Sequence, residues 1–312
     1  MLTLSRVLCP TDFSEVSVKA EAYATALANH YDASLHLLHV DPPMPVMAPY
    51  GEIPVDIRMF EEQRERALVD LAAAGDRARA SGVDTETSVR GGQAAREILA
   101  AVEDQAADLL VIGTHGRGGV EHLLLGSVAE KLVRRAPCPV MVVPPAANPE
   151  TGVLFSRILC PIDGSAASAD AVAFALSLAR ETDGELTLLY VVEPVPASGE
   201  FGALNTEEYR RLGETHAQSV LTAAVLPETR EWCRVHEHVA FGKPSERILD
   251  TARTGQADVI VMGVRGRGAI DLMAFGSTTN DVIRRAACPV LAVHPKAADR
   301  RRLGTAPAAK PV

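Results

Sequence analysis

The sequence of 312 residues predicts an α/β protein of two tandem domains, each a five-stranded parallel sheet with helices on both faces. Three observations carry that prediction. The chain repeats itself: Arg6-Val-Leu-Cys-Pro-Thr-Asp12 returns as Arg157-Ile-Leu-Cys-Pro-Ile-Asp163, and the match continues down both halves. Short apolar runs, such as Leu109 to Ile112 and Val259 to Met262, lack the alternation of a half-exposed strand and read as strands buried on both faces. Segments of helical period separate the runs, and two strands joined through a helix lie parallel. The pattern is βαβαβαβαβ, twice.

The elements follow in order. First strands, Arg6 to Asp12 and Arg157 to Asp163, lead into helices from Ser14 to Tyr31 and from Ser165 to Thr182, with alanines and larger apolar residues at helical spacing. Second strands cover Ala33 to Val40 and Glu185 to Val191. The proline-bearing stretches Asp41 to Pro54 and Glu193 to Asn205 read as loops at the carboxyl ends of those strands, either lids or partner contacts or plain connections. Long polar helices, Ile57 to Ser81 and Thr206 to Ala224, precede third strands at Thr85 to Val89 and Cys233 to Val239. Third helices start at Gly92 and Gly242, the fourth strands are the apolar runs named above, and Pro139 to Val143 and Pro289 to Val293 read as fifth strands. This gives domains over residues 1–147 and 148–296, joined by a short linker at 146–154. A tail over 297–312, with Arg300-Arg301-Arg302 and Ala/Pro-rich ends, reads as disordered. Its arginines are a solvated charge run or a contact for acidic partners or lipid.

Composition excludes several classes. The chain is 47% apolar and 4% aromatic, enough for two cores of ordinary size. No apolar run reaches the ~18 to 20 residues that span a bilayer, and Met1 to Pro10 shows no basic leader followed by an apolar stretch. A cytoplasmic protein without a membrane partner is expected. The net charge is −9, with both halves acidic and only the tail basic, which argues against a nucleic-acid partner. Five cysteines show no C-x-x-C spacing; Cys9 matches Cys160 and Cys138 matches Cys288, each directly before proline, and small buried thiols are expected.

The fourth strands end in glycine-rich turns of one spacing, G-x-x-G-x(9)-G-S. In the first half the motif is Gly113, Gly116, Gly126 and Ser127; in the second it is Gly263, Gly266, Gly276 and Ser277. Strand, glycine-rich turn and helix start in that order make an anion site, because glycine lets backbone approach closely and the free N–H groups of a helix start favour negative charge. A phosphate is the expected ligand. The alternative is a turn with a helix cap, since Ser127-x-x-Glu130 fits a capping box; Asn280 replaces the glutamate in the second copy while Gly-Ser stays.

With its preceding buried strand and the following Ala136-Pro137-Cys138-Pro139-Val140 or Ala287-Cys288-Pro289-Val290, this motif resembles the universal stress protein family, over essentially the whole chain apart from its tail. The resemblance implies Rossmann-like domains of the adenine nucleotide alpha hydrolase type with strand order 3-2-1-4-5, a pseudo-twofold pairing of the two domains through their fifth strands, and ATP or a related adenine nucleotide as ligand, with Mg²⁺ arriving on the phosphates. Further homodimerisation and a protein partner stay open.

Asp12 and Asp163 end the first strands at the motif's edge of the sheet, where a carboxylate either takes hydrogen bonds from ribose or adenine or caps the following helix. The family pattern favours the ligand. It places Val40 and Val191 beside adenine, with Pro10 and Thr11, or Pro161 and Ile162, lining the same pocket. Gly113, Gly116, Gly126, Ser127 and Val128 are implied to hold ribose and phosphates in the first domain, and Gly263, Gly266, Gly276, Ser277 and Thr278 in the second. Arg117 and Arg267 are phosphate counter-charges or solvated loop residues. Because Thr11 becomes Ile162, one hydroxyl is lost from the second site, and the first is expected to bind more tightly.

Catalysis finds no support in motifs. The sequence has no GxxxxGK[S/T] loop, G-x-G-x-x-G fingerprint, G-x-S-x-G elbow or H-E-x-x-H helix. His115 matches Arg265, so neither reads as an obligatory base. The expectation is a nucleotide-dependent regulator in stress response; a slow ATPase and a scaffold with vestigial sites are the alternatives.

Overall fold

The computed structural model describes residues 4–43, 57–114, 125–149, 155–194, 206–231, 233–264 and 276–294. The chain divides into two compact units, Thr3–Pro149 and a second holding Glu150–Val312. Most of both proline-bearing loops and the whole tail at 297–312 lie outside the described residues.

In the first unit the elements run β1 (Arg6–Thr11), α1 (Glu15–Tyr31), β2 (Ser34–Asp41), α2 (Ile57–Ala80), β3 (Thr85–Gly91), α3 (Ala94–Asp104), β4 (Leu109–Gly113), α4 (Ser127–Arg135) and β5 (Val140–Val143). All strand pairs are parallel and the order is β3-β2-β1-β4-β5. The second unit repeats the order: β6 (Arg157–Ile162), α5 (Ala166–Thr182), β7 (Glu185–Val192), α6 (Thr206–Ala223), β8 (Arg234–Phe241), α7 (Pro244–Thr254), β9 (Val259–Gly263), α8 (Ser277–Arg285) and β10 (Val290–Val293) pair as β8-β7-β6-β9-β10, again parallel. A 3-10 turn at Pro227–Glu231, before β8, is the one described element the sequence pattern did not signal.

Local chemistry explains the boundaries. Ser14 caps α1 by accepting from the Ser17 N–H at 3.3 Å, and Ser165 caps α5 from Ser168 at 3.2 Å. Both helices stop at an aspartate in the left-handed region, Asp32 at φ 51° and Asp183 at φ 49°. Small residues on the inner faces, Ala20, Ala24 and Ala28 in α1 and Ala171, Ala175 and Ala179 in α5, let these helices lie close to the central strands.

Right-handed crossovers put α1 and α2 on one face of the first sheet and α3 and α4 on the other. The core follows: Leu109 to Ile112 in β4 and Val259 to Met262 in β9 are at most 5% exposed, because both faces of each strand are covered. The continuous apolar runs were therefore the right signal. Among the described residues no helix is long and apolar enough to cross a membrane.

Candidate functional site

A cavity of about 420 Å³ opens at the carboxyl edge of the first unit's sheet, between β1 and β4, where the connections diverge to opposite faces. It gathers eight of the residues singled out from sequence: Pro10, Thr11 and Asp12 after β1, Val40 in β2, Gly113 ending β4, and Gly126, Ser127 and Val128 starting α4. The sequence reading missed the apolar wall, Leu38 and Ile112 on the strands, Ile98 on α3 and Leu132 on α4. Leu38 and Val40 share a strand face by two-residue alternation, which marks the side on which α3 packs. That alternation was the available signal.

At one side of the cavity is the start of α4. Gly126 is its N-cap, at φ −58° and ψ 143°, and supplies no side-chain cap. The Glu130 N–H bonds the Gly126 carbonyl at 2.9 Å, closing the first turn. Ser127 stands inside the helix as its first residue, so the Ser127/Glu130 capping box does not form, and the first-turn N–H groups keep their positive end toward the cavity. Gly276 begins α8 in the same way, with Asn280 N–H to Gly276 O at 2.9 Å.

Asp12 is not a helix cap; Ser14 has that role. The Asp12 Oδ1 accepts the Ser14 N–H at 3.1 Å, an Asx turn that fixes the carboxylate at the cavity wall, and Asp163 repeats the bond to Ser165 at 3.0 Å.

Two of the sequence arguments change. Thr11 lines the cavity, but its hydroxyl turns inward, 2.5 Å from Glu21 Oε1 and 3.3 Å from Ser17 Oγ, and accepts the Phe13 N–H at 3.1 Å. The Thr11-to-Ile162 exchange therefore removes a bond to α1, and the expectation of a tighter first site loses its stated reason. A Cβ on Gly113 would meet Val16 Cγ1 at 2.9 Å, and on Gly263 the Ala167 carbonyl oxygen at 2.7 Å. Close packing of α1 and α5 on the strand ends demands these glycines without any ligand.

The second unit sets out its own residues along the same edge of its sheet. Pro161 and Ile162 are buried at the end of β6; Asp163, and Val191 on β7, are partly exposed; Gly263 ends β9; and Gly276, Ser277 and Thr278 open α8. Thr279 ties that helix to the strand, its hydroxyl donating to the Gly263 carbonyl at 3.0 Å. Gly116, Arg117, Gly266 and Arg267, with His115, lie outside the described residues.

Burial pushes the thiols of Cys9 and Cys160 well up from the ordinary range and that of Cys288 up to about 12. Cys9 and Cys160 are packing residues of β1 and β6, whereas Cys288, expected to be buried, is partly exposed just before β10.

The family model described as Universal stress protein family matches residues 3–144 and again 154–294. A universal stress protein of Mycolicibacterium smegmatis is 29% identical over 298 residues, covering 93% of this chain and 97% of the relative. One from Mycobacterium tuberculosis is 29% identical over 308 residues, covering 91% and 93%. The crystal structure of a universal stress protein from Archaeoglobus fulgidus superposes with a TM-score of 0.68 at 26% identity, over 94% of this chain and 99% of that one. Two family matches in one chain, each spanning one complete five-stranded unit, make this protein a tandem member of the universal stress protein family.

Proposed function

We propose that the protein is an adenine-nucleotide-binding regulator, with ATP held in the first unit's cavity and in the matching position of the second. The observation that supports this most is the pairing, in one cavity, of an apolar wall with an uncapped helix start and a carboxylate. The base would lie against Leu38, Val40 and Ile98, whose apolar side chains suit a ring. The Asp12 carboxylate, an acceptor only, suits ribose hydroxyls or an amino group. The N–H groups of Ser127 and Val128, at the positive end of α4, suit phosphate oxygens. The volume is of the size that small-molecule sites occupy, on the order of 300 to 1,000 Å³.

The donor set fits nucleotide phosphates; Mg²⁺ would come with them, since the described residues offer no cluster of three His, Cys, Asp or Glu side chains placed to ligate it. Asp12 is the described carboxylate of the wall, and it is engaged by the Ser14 N–H, so the arrangement suits retention better than activation of water. Binding that shifts the partner preference of the chain is the reading that follows.

The test is to denature freshly purified protein, separate the released nucleotide by chromatography and count it per chain. Two adenine nucleotides as ATP are expected. ADP in their place would point to hydrolysis. Absence of nucleotide, with no uptake on titration with ATP, would overturn the proposal. In the Gly126→Glu/Gly276→Glu double variant a carboxylate enters each helix start, and ATP binding is expected to fall by at least about a hundredfold while the circular dichroism spectrum stays as in the parent.

A further inference from the structure

Strand β8 is the outer strand of the second unit's sheet, hydrogen-bonded to β7 along one edge. A strand sends alternate side chains to opposite faces, so Val235, Glu237, Val239 and Phe241 share one face and Arg234, His236 and His238 the other. The first face belongs to α6. Glu237 accepts hydrogen bonds from Gln218 and Thr222 of that helix, and the Arg210 guanidinium lies 4.7 Å from the centre of the Phe241 ring. The second face is open: Arg234, His236 and His238 are all exposed, the His236 side chain by 61%. Helix α7 crosses from β8 toward β9 and packs on β7, which leaves these three side chains of the outer strand in solvent.

Two imidazoles therefore stand side by side. Their Cα atoms are two residues apart along one face, about 6.5 Å at the rise of a strand, and from that spacing two histidine side chains can lean together until one ring nitrogen of each lies about 2.0 to 2.1 Å from a shared ion. Imidazole nitrogen suits Zn²⁺, Cu²⁺ and Ni²⁺, whereas Mg²⁺ and Ca²⁺ take oxygen. A carboxylate flanks the pair. Glu185, at the start of β7, has Oε2 3.9 Å from His236 Nε2, and its Oε1 pairs with Arg234 at 2.9 Å. That ion pair balances the Arg234 charge and keeps the carboxylate beside His236. No three His, Cys, Asp or Glu side chains are gathered around one point among the described residues, so an ion held by the two rings keeps water in its other positions.

The first unit has no such pair. Its matching positions are Glu86 for His236, Ser88 for His238 and Ser34 for Glu185. The histidine it carries on the corresponding face is His36 of β2, whose Nε2 lies 2.7 Å from Ser88 Oγ and whose side chain is 12% exposed. A single ring, largely buried and already engaged, does not chelate. The chain thus contains both the pair and its control.

We infer that His236 and His238 form a chelating site for one divalent transition-metal ion, with Glu185 as the flanking carboxylate, on the outer strand of the second unit. The site does not rest on the nucleotide reading. Its residues lie within β8 and at the start of β7, whereas Asp163 and the glycine motif follow the carboxyl ends of β6 and β9. Binding stabilises the folded chain, because the strand holds the two rings at one spacing that the unfolded chain has to find.

The experiment titrates Zn²⁺ calorimetrically into the full chain, stripped of metal by a chelator and dialysed, at about pH 7.5, where free imidazole is mostly neutral. One ion bound through this pair is expected. His236→Gln and His238→Gln each weaken that binding by about a hundredfold, because losing one ring of a chelating pair forfeits the effective concentration of the other. The double variant binds one ion fewer per chain than the parent. Glu185→Gln weakens binding by about threefold, the size of an exposed charge contact, and His36→Gln leaves the titration as in the parent. With Cu²⁺ in place of Zn²⁺, the electron paramagnetic resonance spectrum of the parent shows hyperfine splitting from two ring nitrogens, and that of either single variant from one. Zn²⁺ raises the melting temperature of the parent and not that of the double variant, while circular dichroism without metal establishes that each variant is folded. Zinc binding in the double variant equal to that of the parent, or a parent that gives no zinc-dependent heat, would overturn the inference.

Discussion

The two turns that follow β1 and β6 begin alike and are supported differently. Asp12 and Asp163 make the same Asx turn, and Ser14 and Ser165 the same helix cap. Behind the first turn lie Thr11, Glu21 and His39; behind the second, Ile162, Val172 and Tyr190. Side chains that accept from the local backbone N–H groups survive the divergence of the two halves, whereas side chains that support the turn from behind have changed as a set. A buried polar group retains its stability only while its partner is present, so such groups are exchanged together.

The largest effect is expected where packing is least forgiving. Gly263→Ala drives a methyl against the Ala167 carbonyl, a backbone atom that cannot rotate away, whereas Gly113→Ala meets the Val16 side chain first. Chemical denaturation is expected to show a loss of about 3 kcal/mol for the former and about 1 kcal/mol for the latter. Equal losses would mean that α1 and α5 are equally free to shift.

Next is a graft of the second unit's residues into the first. Glu21→Val alone leaves the buried Thr11 hydroxyl without its carboxylate and is expected to cost about 2 kcal/mol. Little of this comes from Arg77, whose side chain is 61% exposed. Thr11→Ile with Glu21→Val restores an apolar pair and is expected to lie within about 1 kcal/mol of the parent. Additive losses in the double-mutant cycle would break the claim that these residues change as a set.

Where the units agree, the effects should agree too. Ser14→Ala and Ser165→Ala each remove one cap and are expected to cost about 1 kcal/mol apiece. Smallest at neutral pH is the thiol effect. With their folded values raised, Cys9, Cys160 and Cys288 stay neutral in the native chain after the unfolded chain has begun to ionise. They therefore contribute stability that is complete below the unfolded thiol range and is lost as pH rises from about 8.5 toward 12. Ellman titration of the native protein at about pH 8 should find them unreactive, and all five cysteines should react after denaturation.

The fold was legible because its signals are local. Unbroken apolar runs mark strands covered on both sides, and the duplication tests each assignment twice. Eight of the residues singled out through the family motif line one cavity. What the motif could not show were contacts between elements distant in sequence. Glu21 reads as one more polar residue of α1 until the fold places it under Thr11, and Ile98 is an ordinary apolar position of α3 until the cavity forms above it. Gly113 lines the cavity, and the approach of Val16 gives that glycine a packing reason that the sequence did not show. Ser127 and Glu130 had the spacing of a capping box, but the helix starts one residue earlier than that box needs.

One hydrogen bond near each site has a bearing on how such a chain can vary. The Gly126 N–H returns to the Thr114 carbonyl at 2.9 Å, and Gly276 returns to Val264 at 3.2 Å. Each bond ties the residue after the strand to the residue that begins the helix, so strand end and helix start are held to each other directly. The interval itself differs between the copies, with His115 in one and Arg265 in the other. Transplanting residues 115–125 into positions 265–275 is therefore expected to leave both sheets and the melting curve as in the parent chain.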